Sequence, residues 1–175
     1  KWSVGLVDEK WIYRYNSEPP VRKPYSAIGI FNDSHQYGQI FVDGLNEQHY
    51  LNAMFLSLLM FNNDQLLLSR LLADKGGIIL HGNAMLYKNK AIVLTGRSGS
   101  GKTTLSEMLE KDGMEILCYD RLVLKKNGNR INFYGSWLHG YKEIVSSKIV
   151  GVDTIVFLNH YDRNYYKVVV DKKEK

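Results

Sequence analysis

Apolar positions in this chain fall into short clusters separated by turn residues, with one long helical stretch among them. Over residues 2–45 the clusters "WSVGLVD", "KWIYRYN", "AIGIFND" and "GQIFVDG" are rich in β-branched and aromatic side chains. Turn chemistry at "SEPP", "NDSHQYG" and "DGLN" separates them, so this segment is predicted to be four strands. From about Glu47 to Ala73 the spacing changes. Tyr50, Leu51, Met54, Phe55, Leu58, Leu59, Leu66, Leu67 and Leu71 recur with helical period. One long buried helix is expected, or two shorter ones parted at "NND" near Asn62, ending where the glycines of "DKGG" suit a helix C-cap.

The second half returns to strands. Ile79–Tyr87 and Ala91–Thr95 face each other across "KNK" as a β-hairpin, and a helix is predicted from about Lys102 to Lys111, stopped at "KDG". "EILCYDRLVLKK" reads as a single strand, and "NGNRINFYG" closes a hairpin through Asn127-Gly128. The apolar centre of "VGVDTIVFLNH" predicts a strand buried on both faces, and "YYKVVVDKKEK" a last strand-like piece with a charged tail. Strands outnumber helices too strongly for a doubly wound Rossmann sheet. The expected fold is α/β: a mixed, largely antiparallel sheet core plus the β-rich N-terminal segment and its helix. The expected division is residues 1–76, the N-terminal segment and helix packed on the core, and 77–175, the core itself, together one compact unit.

Composition narrows the function classes. A chain of 175 residues allows one domain with a substantial core. A hydrophobic content of 45% with 23% charged residues is that of a soluble globular protein, and the longest apolar run, "LNAMFLSLLMF", is too short to span a bilayer. No membrane partner is therefore expected. The single cysteine, Cys118, excludes an internal disulfide and fits a reducing, cytoplasmic setting. A net charge of +5 on scattered lysines favours a solvated surface over a nucleic-acid groove. No secretory signal peptide is legible, and a chain that begins at Lys1 is expected to be a trimmed segment.

The chemistry concentrates in "GRSGSGKT". Gly96, Arg97, Ser98, Gly99, Ser100, Gly101, Lys102 and Thr103 match the phosphate-loop pattern in full, followed by Thr104. The glycines let backbone N–H groups curl round a phosphate where no side chain would fit. The helix from Lys102 aims its unpaired N–H groups and dipole at the same anion. Lys102 reaches the outer phosphates, and the Thr103 hydroxyl is suited to Mg²⁺. ATP and Mg²⁺ are thus the expected ligands. Arg97 has two open readings, a contact to phosphate or substrate and a solvent-facing side chain. The loop alone does not say what is done with the nucleotide, and neither an ABC-type signature loop nor an N-K-x-D guanine-reading motif is present.

In what surrounds the loop, the chain resembles the HPr kinase/phosphorylase family. More exactly it is similar to the shorter HPr-kinase-like proteins, whose phosphate loop is shared with phosphoenolpyruvate carboxykinases. The resemblance covers about residues 77 to 160 and rests on "LHGNAMLYKNKAIVLTGRSGSGKTTL", "GMEILCYDRLVL", "FYGSWLHG" and "VDTIVFL". It implies that His81 is the active-site histidine at the start of the hairpin, assisting at the phosphate end. It also implies that Asp120 is the catalytic aspartate, taking the proton of a serine hydroxyl and sharing in the metal site. Independently, an aspartate alone in an apolar strand calls for a partner, either a metal or a basic residue such as Arg121 or Lys125.

The chain departs from the family pattern in three places. Tyr119-Asp120 stands where two adjacent acids are common, which leaves one carboxylate for both base and metal. The Glu-Ile-Arg segment of the bifunctional enzymes has no clear counterpart, Glu143 in "GYKEI" being the nearest acid. The family's C-terminal helices are absent from this chain. Trp137 and His139 in "GSWLHG" are a candidate substrate or metal contact, or equally a packed aromatic beside a surface histidine. His35, His49 and His160 lack zinc-site spacing. Three readings stay open: a kinase for a serine or threonine hydroxyl of a protein or peptide (a peptide-tailoring kinase included), a small-molecule kinase, and a non-catalytic nucleotide-binding module. The resemblance also leaves room for an oligomer.

Overall fold

The computed structural model describes residues 2–16, 26–42, 61–136, 142, 144, 146–163 and 165–169. The chain divides into two compact units, Lys1–Ile79 and Leu80–Lys175.

In the first unit β1 (Trp2–Val7), β2 (Lys10–Asn16), β3 (Ser26–Asn32) and β4 (Gly38–Val42) form an antiparallel sheet in chain order. Asp8 and Glu9 join β1 to β2 with φ of 46° and 60°. Two successive left-handed residues match the twist of a hairpin, which is why a two-residue connection suffices here. On this sheet Tyr13 is buried and its hydroxyl meets Nε2 of His35 at 2.7 Å, while the His35 ring stacks on Trp11 and on Phe31. The helix α1 (Phe61–Ala73) sets the Arg70 guanidinium 4.6 Å from the centre of the Trp11 ring. Gly76 follows it at φ 67°, its N–H bonded to the Ala73 carbonyl, as expected of a glycine C-cap. "NND" falls within the first turn of α1. Leu66, Leu67 and Leu71 are half-buried rather than buried. Tyr50, Leu51, Met54, Phe55, Leu58 and Leu59 lie outside the described residues.

The second sheet is built from β5 (Gly77–Tyr87), β6 (Lys90–Gly96), β7 (Glu115–Cys118), β8 (Arg121–Asn127), β9 (Arg130–Tyr134) and β10 (Ile149–Leu158), in the order β6-β10-β9-β8-β5-β7. Because β6 also pairs with β5, the order closes on itself. β10 runs parallel to β6, whereas β5–β6, β5–β7, β8–β9 and β9–β10 are antiparallel. The fold is α/β with a mixed sheet.

The central hairpin explains why "AIVL" is apolar without alternation. Ala84, Ala91 and Val93 pack into one cluster with Leu117, Leu122 and Phe133, while Met85 and Leu94 pack into a second with Ile116 and Tyr119. Leu105 and Leu109 of α2 (Lys102–Lys111) close the second. A strand covered on both faces has no polar side to show.

Three expectations change. "EILCYDRLVLKK" is two strands, broken at Tyr119-Asp120, for a reason given below. The strand in "VGVDTIVFLNH" is not buried on both faces. Val152 and Ile155 reach the first cluster and Val156 and Leu158 the second, but only from the margin, and Phe157 is 56% exposed. Finally, Tyr165–Val169 is irregular rather than a strand, and the charged tail at 170–175 lies outside the described residues.

Candidate functional site

The phosphate loop takes the shape its glycines permit. Gly99 and Gly101 sit at φ 80° and 89°, where a side chain would be strained. A Cβ on Gly96 would come within 2.5 Å of the Leu158 carbonyl oxygen on β10, so the parallel neighbour also demands glycine there. Lys102, buried at the start of α2, folds its ammonium over the loop and donates to the carbonyls of Gly96 at 3.0 Å and Arg97 at 2.9 Å. His160, just past β10, meets the Gly99 carbonyl at 2.7 Å through Nε2. Among the described residues the buried hydroxyl of Ser100 has no hydrogen-bond partner.

A cleft of about 340 Å³ opens beside the loop, lined by His81, Asn83, Ser98, Gly99, Gly101, Lys102, Thr103, Thr104, Tyr119 and Asp120. Every proposed site residue except Gly96, Arg97 and Ser100 thus borders one space, and Arg97 is exposed. Trp137, His139 and Glu143 lie outside the described residues.

Asp120 occupies the break between β7 and β8 at φ 78°, an uncommon conformation for a residue with a side chain. Its backbone explains the break. Its carbonyl accepts the Gly82 N–H at 3.1 Å, and its own N–H donates to the side-chain oxygen of Asn83 at 3.3 Å. The corner is therefore held by β5, whose pairing with β7 extends to the Gly82–Asp120 bond. It leaves the Asp120 carboxylate 29% exposed and aimed at His81, with Oδ1 2.9 Å from Nδ1. His81 stands fifth in the eleven-residue β5, inside the strand rather than at its start.

Arg121 completes the cluster. Its Nη1 donates to Asp120 Oδ1 at 2.7 Å and to the Asp120 carbonyl at 3.1 Å, and it also touches Nδ1 of His81. The basic partner anticipated for Asp120 is Arg121. The imidazole of His81 is held below its ordinary value, first by partial burial and then by the positive charges of Lys102 and Arg121, with Asp120 opposing. The ring is therefore neutral near pH 7. A guanidinium only donates and a carboxylate only accepts. With its proton on Nε2 a neutral ring accepts from Arg121 at Nδ1; with its proton on Nδ1 it donates to Asp120 Oδ1.

Sequence reasoning passed over Asn83, Tyr119 and Ser106. Asn83 and Ser106 are buried and joined, Nδ2 to Oγ, at 2.8 Å. The available signal was a polar residue at an inward position of an apolar strand, "GNAMLY". Tyr119 is buried and meets the Lys142 ammonium at 3.4 Å. Lys142 in turn pairs with Glu107 of α2 at 3.1 Å.

No family model matches the chain, and no curated protein does. Among solved structures it is similar to the Hpr(Ser) kinase/phosphatase from Coxiella burnetii, at 18% identity and a TM-score of 0.36, over 45% of this chain and 63% of that one. The chain spans less than two thirds of that protein's length. Among the described residues no helix is long and apolar enough to cross a membrane.

Proposed function

We propose that this protein is an ATP-dependent kinase that transfers the γ-phosphate to a serine or threonine hydroxyl of a protein or peptide. The observation that carries the reading is the meeting of Asp120 and His81, 2.9 Å apart, on the wall of the cleft that the phosphate loop also lines. The unpartnered Ser100 hydroxyl supports phosphate as the ligand, and the order of the motifs resembles that of HPr-kinase-like proteins.

A hydroxyl attacks phosphorus poorly until a positioned base takes its proton. Asp120 is that base. As the new O–P bond forms, the hydroxyl proton passes to the carboxylate and the bond to the bridging β–γ oxygen breaks. ADP leaves with the electron pair, and the carboxylic acid later returns the proton to water. Lys102 and the N-terminus of α2 balance the charge that gathers on the phosphates, which is most of what phosphoryl transfer asks of a protein. A neutral His81 with its proton on Nε2 donates a hydrogen bond to a phosphate oxygen without adding charge. The Thr103 hydroxyl and the Asp120 carboxylate face the same cleft and are hard oxygen donors of the kind Mg²⁺ selects. Bound there with the phosphates, Mg²⁺ supplies further charge neutralisation. No cluster of three or more His, Cys, Asp or Glu occurs among the described residues.

The test is incubation with Mg²⁺ and γ-labelled ATP against a degenerate peptide library containing serine or threonine. Label on peptide from the wild type and none from Asp120→Asn is the expected result. Label on a small metabolite instead of any peptide would move the assignment to a small-molecule kinase, and binding with no turnover would leave a nucleotide-sensing module.

A further inference from the structure

The buried polar pair under the cleft joins its two halves. The backbone N–H of Asp120 donates to Asn83 Oδ1 at 3.3 Å, Asn83 Nδ2 donates to Ser106 Oγ at 2.8 Å, and the Ser106 hydroxyl donates to the Lys102 carbonyl at 2.8 Å. Both ends of this chain fix its direction, because a backbone N–H can only donate and a carbonyl can only accept. The Asn83 amide has one orientation that satisfies both neighbours, and the Ser106 hydroxyl has one free choice of acceptor. Asn83 is 2% exposed and Ser106 fully buried, so water cannot replace either link. An apolar valine and alanine would fill such sites with less desolvation cost. A directed polar chain at this place therefore asks for a reason beyond packing.

We propose that Asn83 is a positioning residue that ties the Asp120 corner to the first turn of the phosphate-loop helix, so that the carboxylate is set relative to the bound phosphates. The proposal rests on the reading of Asp120 as the base. The left-handed conformation of Asp120 is uncommon for a residue with a side chain, though aspartate adopts it more readily than most. Of the two backbone groups that fix it, the carbonyl is tied to Gly82 on β5, but the N–H is tied through Asn83 and Ser106 to Lys102. Phosphate drawing on the N-terminus of α2 is thereby felt at the base, through contiguous hydrogen bonds.

The experiment uses the full chain with Mg-ADP as the binding probe and water as the phosphate acceptor. The amide resonance of Asp120 is followed on Mg-ADP addition in the wild type, Ser106→Ala, Asn83→Val and the double variant. ATP turnover to water gives kcat and KM alongside. Removing both partners leaves no orphan within the pair but frees the Asp120 N–H, so the double variant is expected to fold with a Tm a few degrees below wild type. It should bind Mg-ADP within about threefold of wild type, lose the Asp120 amide response, and lose about tenfold or more in kcat at unchanged KM. The two single changes should be non-additive in kcat, as expected of links in one chain. A folded double variant that keeps the amide response and the wild-type kcat overturns the proposal, as does a loss confined to nucleotide affinity. If the Asn83 variants misfold, Ser106→Ala alone, which deletes one hydroxyl, decides the amide response. Full turnover by Asp120→Asn breaks the reading of Asp120 as base. An inactive Asp120→Asn beside a fully active double variant overturns only the role of Asn83.

Discussion

Oδ1 of Asp120 stands 2.9 Å from Nδ1 of His81, and the Nη1 group of Arg121 touches both. The carboxylate comes from the break between β7 and β8 and the imidazole from the middle of β5. The β5–β7 register, with Ala84 opposite Cys118, brings Asp120 beside Gly82 and so next to His81, and the Asp120 N–H and carbonyl are taken by Asn83 and Gly82.

Asp120→Asn keeps the shape of the corner and removes the proton acceptor. Transfer to a peptide hydroxyl is expected to fall by roughly 10²–10⁴-fold, the usual worth of a general base. Mg-ADP affinity, measured by calorimetry, should stay within about threefold. Transfer at the wild-type rate would remove Asp120 from the mechanism.

Lys102→Met tests the loop itself. The ammonium is the buried cation beside the phosphate curl, and a charge-assisted bond to phosphate contributes about 1.5–3 kcal/mol. Affinity for Mg-ADP should therefore drop by roughly 10- to 150-fold. An unchanged dissociation constant would mean that nucleotide does not bind at this loop.

Gly82 is required by space. A Cβ at this position would meet the Leu94 carbonyl oxygen at 2.5 Å across the β5–β6 pair, and the backbone cannot yield without parting the hairpin. Overpacking of this kind costs about 1–3 kcal/mol. Gly82→Ala is expected to lower the Tm by about 2–12 °C in a chain of this size, read by thermal circular dichroism. A Tm equal to wild type would contradict the close approach.

Cys118 supplies a pH signature. Burial pushes its thiol up from 9.0 to about 11. Between those values the unfolded chain gives up the proton while the folded chain keeps it. The folded state then binds more protons, and its stability falls as pH rises through this window, levelling off above it. Below pH 9 the thiol contributes no slope. Because other groups titrate there too, the measured quantity is a difference: the denaturation midpoint of Cys118→Ala should decline less steeply from pH 9 to 11 than that of the wild type. The same burial makes the native thiol slow to react with iodoacetamide at pH 8. Parallel pH curves for the two proteins would show that Cys118 is not held protonated.

Much of the structure was legible because it is local. The strands β1 to β6 and the stop of α2 at Asp112-Gly113 follow from side-chain type and short-range turn geometry. The β8–β9 hairpin does too, but its turn is Gly128-Asn129, one residue later than Asn127-Gly128, because Asn127 still pairs with Arg130. The loop was legible for the same reason: eight consecutive residues carry its conformation. The strand through residues 115–126 was misread as continuous because its composition is that of a strand throughout, and the break lies in hydrogen bonds to β5. The covering of β10 was misread because an apolar strand carries no mark of what lies over it.

The sequence by itself determined the phosphate loop, the hairpin that leads into it and the residues that carry charge. Those depend on φ preferences and alternation, which act over a few residues. Only the tertiary structure decided that Asp120 turns out of its strand, that Arg121 sits between it and His81, and that Asn83 and Ser106 join the base to the loop's helix. Each of those rests on partners far apart in the chain: 37 residues for Asp120 and Asn83, 40 for Arg121 and His81, and 23 for Asn83 and Ser106. A buried hydrogen bond of that kind is chosen by which groups the fold leaves without water.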